Sequence, residues 1–471
     1  MDFIDQAFAP FSKLVNDFIF FSVEVNGVAL PLVVVWLGGG AIFITASLKF
    51  VNLRGFAHAW FFLLKGKRDE DGAAGEISHF EALSAALSGT IGLGNIASVP
   101  IAIALGGPGA IFWMLVAGFF AMSMKFAECA LAVKYRRINP DGSVSGGPMY
   151  YIEAAFAQKG SRRVGKVLAT AFALMAIGGS VSIFQINQSY AQFSRVTGFD
   201  APFLFGLVMA GLAAIIILGG IKSIAQVTSR LVPAMCVLYL GAGFVILFVN
   251  YHEIPSVVRA IIEGAFGLDA VGGGAVGAII NGVKRATYSS EAGTGSAAIA
   301  HSAVKTKNPL TEGYVALVEP FIDTIIVCLT TGLIVLVTGA WRAGVPMGIE
   351  MTSFAFESVF PWFSYILAAS AVLFAFSTAV SWAYYGSKAV GYLSGGGPKI
   401  DTVYKLALCA MLSLGATVEL AHIVNFIDAM LFGMAVPNLI AVYLLLPELR
   451  RDLEAYEKSR KRARPVAGAS L

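Results

Sequence analysis

Long apolar runs separated by short polar connections dominate the chain. Eleven can be counted, at roughly 28–50, 79–106, 109–135, 163–195, 202–221, 228–250, 272–302, 313–340, 360–393, 402–422 and 424–447. A membrane-spanning helix needs about 20 mainly apolar residues, so each run predicts one span. Several runs exceed that length, which predicts tilt, a break or an interfacial extension.

Polar positions inside two of these runs change the picture. The second run contains Ser88-Gly89-Thr90-Ile91-Gly92-Leu93-Gly94-Asn95, and the seventh contains Tyr288-Ser289-Ser290-Glu291-Ala292-Gly293-Thr294-Gly295-Ser296. Each interrupted run is the first of five consecutive spans. An odd number of spans inserts the second set upside down, so the pattern predicts an inverted repeat with a broken helix at the same place in each half. The expected organisation is an extra N-terminal span (1–50), a first five-helix repeat (76–250), an inverted second repeat (254–447) and a basic cytoplasmic tail (448–471).

Composition supports the membrane reading. Of 471 residues, 57% are hydrophobic and 13% charged, whereas a soluble domain carries roughly a quarter charged. That excludes a soluble enzyme, a disordered chain and a disulfide scaffold. The net charge of +4 implies no nucleic-acid partner. The four cysteines sit in four separate apolar runs without metal spacing, as small apolar residues would. The opening MDFID is acidic where a signal peptide is basic, so an uncleaved N-terminus is expected.

Lysine and arginine set the orientation. One alternating set of loops, with the tail, holds 25 of the 33; the opposite set holds Lys13, Arg195, Arg259 and Arg342. The N-terminus is therefore expected outside and the C-terminus in the cytoplasm. The tail RRDLEAYEKSRKRAR reads as a stop-transfer flank, with anionic-lipid binding as the alternative.

Glycine costs about 1 kcal/mol against alanine in a helix interior, so neither interrupted segment suits a lipid-facing helix. Unwound backbone at membrane depth persists only against protein or a cavity. Its carbonyls can coordinate a cation such as Na+, and the N–H groups of the following half-helix suit a carboxylate. Together these describe a site for a zwitterion plus cations. Tight helix crossings would explain the glycines but not Asn95 or Glu291. Gly92-x-Gly94-x-x-Ala97 and Gly293-x-Gly295-x-x-Ala298 match a dinucleotide pattern, but that pattern needs a preceding strand.

Other polar groups extend the path. The fourth run holds Gln185, Asn187, Gln188 and Gln192, which line a solute path or bond between helices. In the ninth, Thr378 and Trp382 share a face; the hydroxyl suits a cation, and the indole either limits pocket volume or packs the core. Glu319 and Asp323 either serve transport or cap loop ion pairs. Lys125 and Glu128, three apart, are expected to neutralise each other. None of the five histidines is paired at ligand spacing.

Four segments, GTIGLGNIASVP (89–100), GGPMYYIE (146–153), RATYSSEAGTGSAAIAHS (285–302) and FAFSTAVSWAYYG (374–386), resemble the alanine or glycine:cation symporter family, in the family's order. The resemblance spans about 28–447. It implies a bacterial or archaeal carrier of small neutral amino acids, driven by Na+, in the prokaryotic plasma (inner) membrane. It also implies an all-α, LeuT-type core of five plus five helices with one extra N-terminal helix. The first broken helix is also similar to that of neurotransmitter-sodium symporters. By that likeness, the Ser88, Ile91 and Phe374 carbonyls and the Ser377 and Thr378 hydroxyls would surround one Na+. Thr90 and Asn95 match a second cation site. Gly92 and Gly94 match positions that receive the substrate carboxylate, and Tyr288 an aromatic gate. Ser289 matches a hydroxyl near cation and substrate, and Gly293 and Trp382 match pocket-lining positions. Ser290, Thr294, Ser98 and Gln188 depart from the family pattern and leave the substrate range open.

The expected function is alternating-access uptake of L-alanine, glycine or a similar amino acid coupled to Na+ influx. The alternatives are H+ coupling through Glu291 or Asp323, a channel or sensor on the same scaffold, and, least supported, a membrane enzyme. Ion stoichiometry, D/L preference and oligomeric state stay open.

Overall fold

The computed structural model describes residues 2–25, 28–65, 72–140, 142–267, 274–417 and 421–463. It opens with a surface helix, α1 (Asp2–Ile19), and an antiparallel hairpin of β1 (Ser22–Val25) and β2 (Val28–Pro31) that pairs Ser22 with Pro31. The hairpin uses the start of the first apolar run, so the helix that follows, α2, covers only Leu32–Ser47. Helix α1 leaves Phe11, Leu14 and Phe18 exposed, as suits a helix lying in the membrane interface. Its end of the chain packs on the last helix through Phe11–Phe426 and Phe20–Phe432 ring contacts.

The second run is broken as expected. Helix α3 (His79–Thr90) starts at a capping box formed by Ser78 and Glu81. It ends at Ile91, where ψ of 94° leaves the helical region. A π-turn, Gly94–Ser98, leads into α4 (Val99–Gly106), and the two halves bend by 49°. Helix α5 follows (Gly109–Lys134). The fourth run is also broken, into α6 (Arg162–Gly179) and α7 (Ile183–Thr197). Helices α8 (Pro202–Leu218) and α9 (Gly220–Val249) complete the first half.

In the second half, α10 (Gly274–Ser290) and α11 (Ser296–His301) flank the second break. The eighth run is α12 (Pro309–Ala316), a π-helical stretch at Phe321–Cys328, and α13 (Leu329–Val337). Helices α14 (Phe363–Ser394), α15 (Pro398–Leu414) and α16 (Ala421–Ala463) complete the bundle. Among the described residues the regular structure is helical apart from two short antiparallel pairs, Ser22–Val25 with Val28–Pro31 and Arg137–Ile138 with Val144–Ser145, and a single bridge between Ile77 and Val304. Among the described residues, seven helices are long and apolar enough to cross a membrane, and eight if the bent pair counts as one. Helices α2 and α8 are apolar but shorter.

The two halves meet closely. A Cβ on Gly282 would sit 2.6 Å from the Ala110 carbonyl oxygen, so only glycine lets α10 cross α5 there. Arg136 ties the segments that flank the broken helices. Its Nη1 donates to the Ser302 and Val304 carbonyls at 2.8 and 2.5 Å, and its Nη2 to those of Ala74 and Thr306 at 2.6 and 3.1 Å. Burial pulls its guanidinium below the ordinary value while Glu312 opposes the shift; an arginine stays charged regardless. Helix α16 runs on to Ala463, and within it Glu454 and Glu457 pair with Lys49 and Arg54 at 2.8 and 2.9 Å; residues 464–471 of the basic tail lie outside the described residues.

Candidate functional site

The first break leaves backbone amides without helical partners, and side chains take them up. Asn95 Oδ1 accepts from the Gly92 amide at 2.9 Å, and Gln185 Oε1 accepts from the Leu93 amide at 3.1 Å. Gln185 comes from just beyond the break between α6 and α7, so two broken helices support each other. Gln192, two turns on, donates to Ser353 at 2.9 Å. The glutamine stripe therefore divides into one pocket residue and one interhelical bond. Asn187 is half-buried and accepts from its neighbour Gln188 at 3.2 Å; it does not line the cavity described next.

A cavity of about 50 Å³ lies between the breaks, enough for only a small solute. Thr90 and Gly94 of the first broken helix line it, with Gln185, Tyr288 and Glu291, Thr378 and Trp382 of α14, and Asp428 of α16. Seven of the sequence candidates, all of these but Asp428, therefore line one cavity. Gly92 lies just behind it, where a Cβ would come 2.7 Å from Thr378 Oγ1. Ser289 and Gly293 turn elsewhere. Gly293 faces Leu37 and Met124, and its carbonyl accepts from Asn438 at 2.8 Å.

Three of the residues expected around Na+, Ser88, Phe374 and Ser377, bring oxygens together. Ser88 Oγ donates to the Ser377 carbonyl at 2.7 Å, and Ser377 Oγ lies 3.0 Å from the Phe374 carbonyl and 3.4 Å from that of Ser88. Ile91 is fully buried where α3 ends. Thr378 Oγ1 is buried with no hydrogen-bond partner among the described residues. An unpaired buried hydroxyl is costly, and an oxygen-rich cluster at a helix break fits a coupling ion. Thr90 and Asn95 have other partners: the Thr90 hydroxyl returns to the Ala86 and Leu87 carbonyls at 3.4 Å each, and Asn95 Oδ1 is spent on Gly92.

Asn95 instead joins a buried hub behind the pocket. Its Nδ2 donates to Asp323 Oδ1 at 2.6 Å and to Ser289 Oγ at 3.1 Å. Ser289 Oγ donates to Asp323 Oδ2, and Thr324 Oγ1 does so at 2.9 Å. Asp323 thus links both broken helices to the π-helical stretch, and among the described residues it caps no loop ion pair.

Lys125 and Glu128 are charged neighbours, as expected, but their direct contacts go to other residues. Lys125 Nζ bonds Glu319 Oε1 at 2.8 Å, while Glu128 Oε1 accepts from Asn438 at 2.5 Å. Spacing put the two residues on neighbouring turns, but a long lysine on a buried face reaches the facing helix. Glu319 continues a buried chain: His301 Nε2 lies 3.6 Å from it, His301 Nδ1 is 2.5 Å from Glu312, and His79 also bonds Glu312. Histidines with no sequence pairing thus share one carboxylate. Among the described residues no His, Cys, Asp or Glu cluster could hold a metal ion.

Asp428 went unnoticed in the sequence. It is the one acid within the apolar run 424–447, which is itself a signal of function. Its charged neighbours are Arg285 and Lys284 of α10.

Comparison with known proteins adds three findings. The profile of the sodium:alanine symporter family matches residues 16–467. The sodium/alanine symporter AgcS of Methanococcus maripaludis is 39% identical over 438 residues, covering 92% of this chain and 95% of that one. The fold is similar to the crystal structure of MhsT in complex with L-phenylalanine (TM-score 0.54, 13% identity, 82% of this chain and 99% of that one). It is equally similar to a Na+-coupled sialic acid symporter in a substrate-bound outward-open state (TM-score 0.54, 14% identity, 79% and 81%). At such identities these likenesses show the fold alone, a LeuT-like one.

Proposed function

Because the chain belongs to the sodium:alanine symporter family, we propose that the cavity between its broken helices carries a small neutral amino acid beside one Na+. The protein is a multi-pass membrane transporter, not an enzyme, and couples Na+ to amino-acid uptake. L-alanine and glycine are the substrates that the cavity suits. Thr378 Oγ1 carries this reading: it is a buried hydroxyl on the cavity lining, without a partner among the described residues and next in the chain to Ser377. Ser88, Ile91, Phe374, Ser377 and Thr378 are the proposed Na+ ligands. Thr90, Gly94, Gln185, Tyr288 and Trp382 are the proposed substrate contacts, with Gly92 behind them. A substrate carboxylate would compete with Asn95 for the Gly92 amide.

Ion and substrate on the same broken helix give linkage, since each stabilises the arrangement that binds the other. A membrane potential adds about 2.3 kcal/mol per charge per 100 mV. The proposed topology has eleven spans in two inverted five-helix repeats, with the N-terminus outside and the C-terminus in the cytoplasm of a prokaryote. It joins the long helices to α2, α8 and the two broken spans. Alternating access is a rocking of the broken helices, α5 and α12–α13 against the rest.

Labelled L-alanine and glycine uptake into proteoliposomes tests this, with inward Na+, Li+, K+ or H+ gradients imposed separately. Accumulation above equilibrium under Na+ alone is expected. Accumulation under H+ alone would move coupling to Glu291 or Asp323.

A further inference from the structure

Glu291 occupies a place that suits glycine. Its φ is 52°, a left-handed conformation that a Cβ disfavours. Gly293 and Gly295 in the same break take φ of 90° and 80° without that penalty. A glycine at 291 would keep the backbone and relieve the strain, so the carboxylate serves some purpose of its own.

The contacts of that carboxylate define the purpose. Glu291 is buried, and its Oε1 accepts from Trp382 Nε1 at 3.0 Å. Its Oε2 accepts from Ser296 Oγ, which fixes the carboxylate to the start of α11. The Glu291 carbonyl accepts from Thr294 Oγ1 at 2.7 Å. Trp382 is therefore held at its polar edge by a residue that is itself anchored twice, once through its carboxylate and once through its backbone. At its other edge the indole meets Gly179 of α6, where a Cβ would lie 3.2 Å from Cζ3. The Tyr385 ring packs edge-on at 5.4 Å between centroids. Gly179, Glu291 and Trp382 all line the cavity.

We propose that Glu291 and Gly179 together fix how far the Trp382 indole reaches into the cavity, and so set the largest side chain the transporter accepts. This rests on the cavity being the amino-acid site. Glu291 acts here as a positioning residue: it pulls the indole by its N–H, and the missing side chain at 179 lets the ring lie back. The two contacts act on opposite edges of one rigid ring, so changes to them shift selectivity in opposite directions. A methylene in a tight apolar pocket is worth roughly 10- to 200-fold in discrimination, so sub-ångström shifts of the ring are readable.

The experiment measures competing uptake of glycine, L-alanine and L-methionine into proteoliposomes under an inward Na+ gradient. Glu291→Gly removes the carboxylate and suits the backbone. It is expected to raise L-methionine uptake relative to L-alanine by about tenfold. Glu291→Gln keeps an acceptor for the indole and is expected to retain the parent ratio, which separates positioning from charge. Gly179→Ala presses on Cζ3, pushes the ring into the cavity and is expected to lower the L-alanine-to-glycine ratio by about tenfold. Because Gly179→Ala leaves the buried carboxylate in place, it decides the matter even if Glu291→Gly does not fold. Parent-like ratios in Gly179→Ala overturn the proposal while leaving the site assignment intact, provided the parent protein still accumulates L-alanine with Na+. A parent protein that accumulates none of the three overturns the site assignment instead.

Discussion

Adjacent residues on α14 divide the chemistry of the proposed ion site. Ser377 cross-links α14 to α3 through Ser88, whereas Thr378 holds its hydroxyl unpaired at the cavity wall. Replacing Thr378 with valine keeps the β-branched shape and removes only the oxygen. The Na+ concentration for half-maximal L-alanine uptake should then rise about tenfold, equivalent to about 1.4 kcal/mol, and Thr378→Ser should restore it. Unchanged Na+ activation in the valine variant would remove Thr378 from the site. Gly92 is constrained by the same atom. A Cβ there would come 2.7 Å from Thr378 Oγ1 and 3.3 Å from Gln185 Oε1, so Gly92→Ala should reduce uptake at least about tenfold by occupying this space. Normal uptake by that variant would show that the break adjusts freely. The motif glycines and Thr378 were legible because their chemistry is local. Asp428 was passed over because it stands alone in its run, and its neighbours on α10 become visible only in three dimensions.

Between elements, buried charge holds the helices in register. Lys125 and Glu319 are fully buried and bonded at 2.8 Å. Removing one member of such a pair strands the other and costs about 3–5 kcal/mol, whereas replacing both by apolar groups can be neutral. Lys125→Met should therefore lower the thermal unfolding temperature of the detergent-solubilised protein sharply. A Lys125→Met, Glu319→Leu double variant should recover much of the loss. Equal destabilisation of single and double variants would mean that packing, not charge, is what α5 supplies here. The break between α6 and α7 follows the same theme: Gln185, from the restarted helix, satisfies an amide exposed by the first break. The sequence allowed breaks in long runs but marked only the two rich in glycine. The third break ends in Gly179-Ser180-Val181-Ser182, a signal too weak to separate from an ordinary small-residue crossing.

For the molecule as a whole, the asymmetry of lysine and arginine supports the proposed orientation. A C-terminal green fluorescent protein fusion should fluoresce, and an alkaline phosphatase fusion at the same place should be inactive, because the tail that follows α16 is proposed to be cytoplasmic. An active phosphatase would invert the topology. Lys49 and Arg54 pair with Glu454 and Glu457 on this face, and Arg136 joins the flanks of both broken helices.

Hydropathy, glycine placement and basic-residue asymmetry are one-dimensional properties. From them alone follow the membrane and the two interrupted helices, since each depends on neighbours within a turn or two, whereas the oxygens expected near Na+ come from the family resemblance. Which side chain meets which across the bundle depends on distances between residues far apart in the chain. Folding alone decided that Lys125 answers Glu319 rather than Glu128, that Asn95 and Ser289 converge on Asp323, that two histidines share Glu312, and that a glutamate at a glycine's place holds the indole. Long side chains on close-packed helices choose partners by reach and by the need to satisfy every buried polar group, and neither is written in the order of residues.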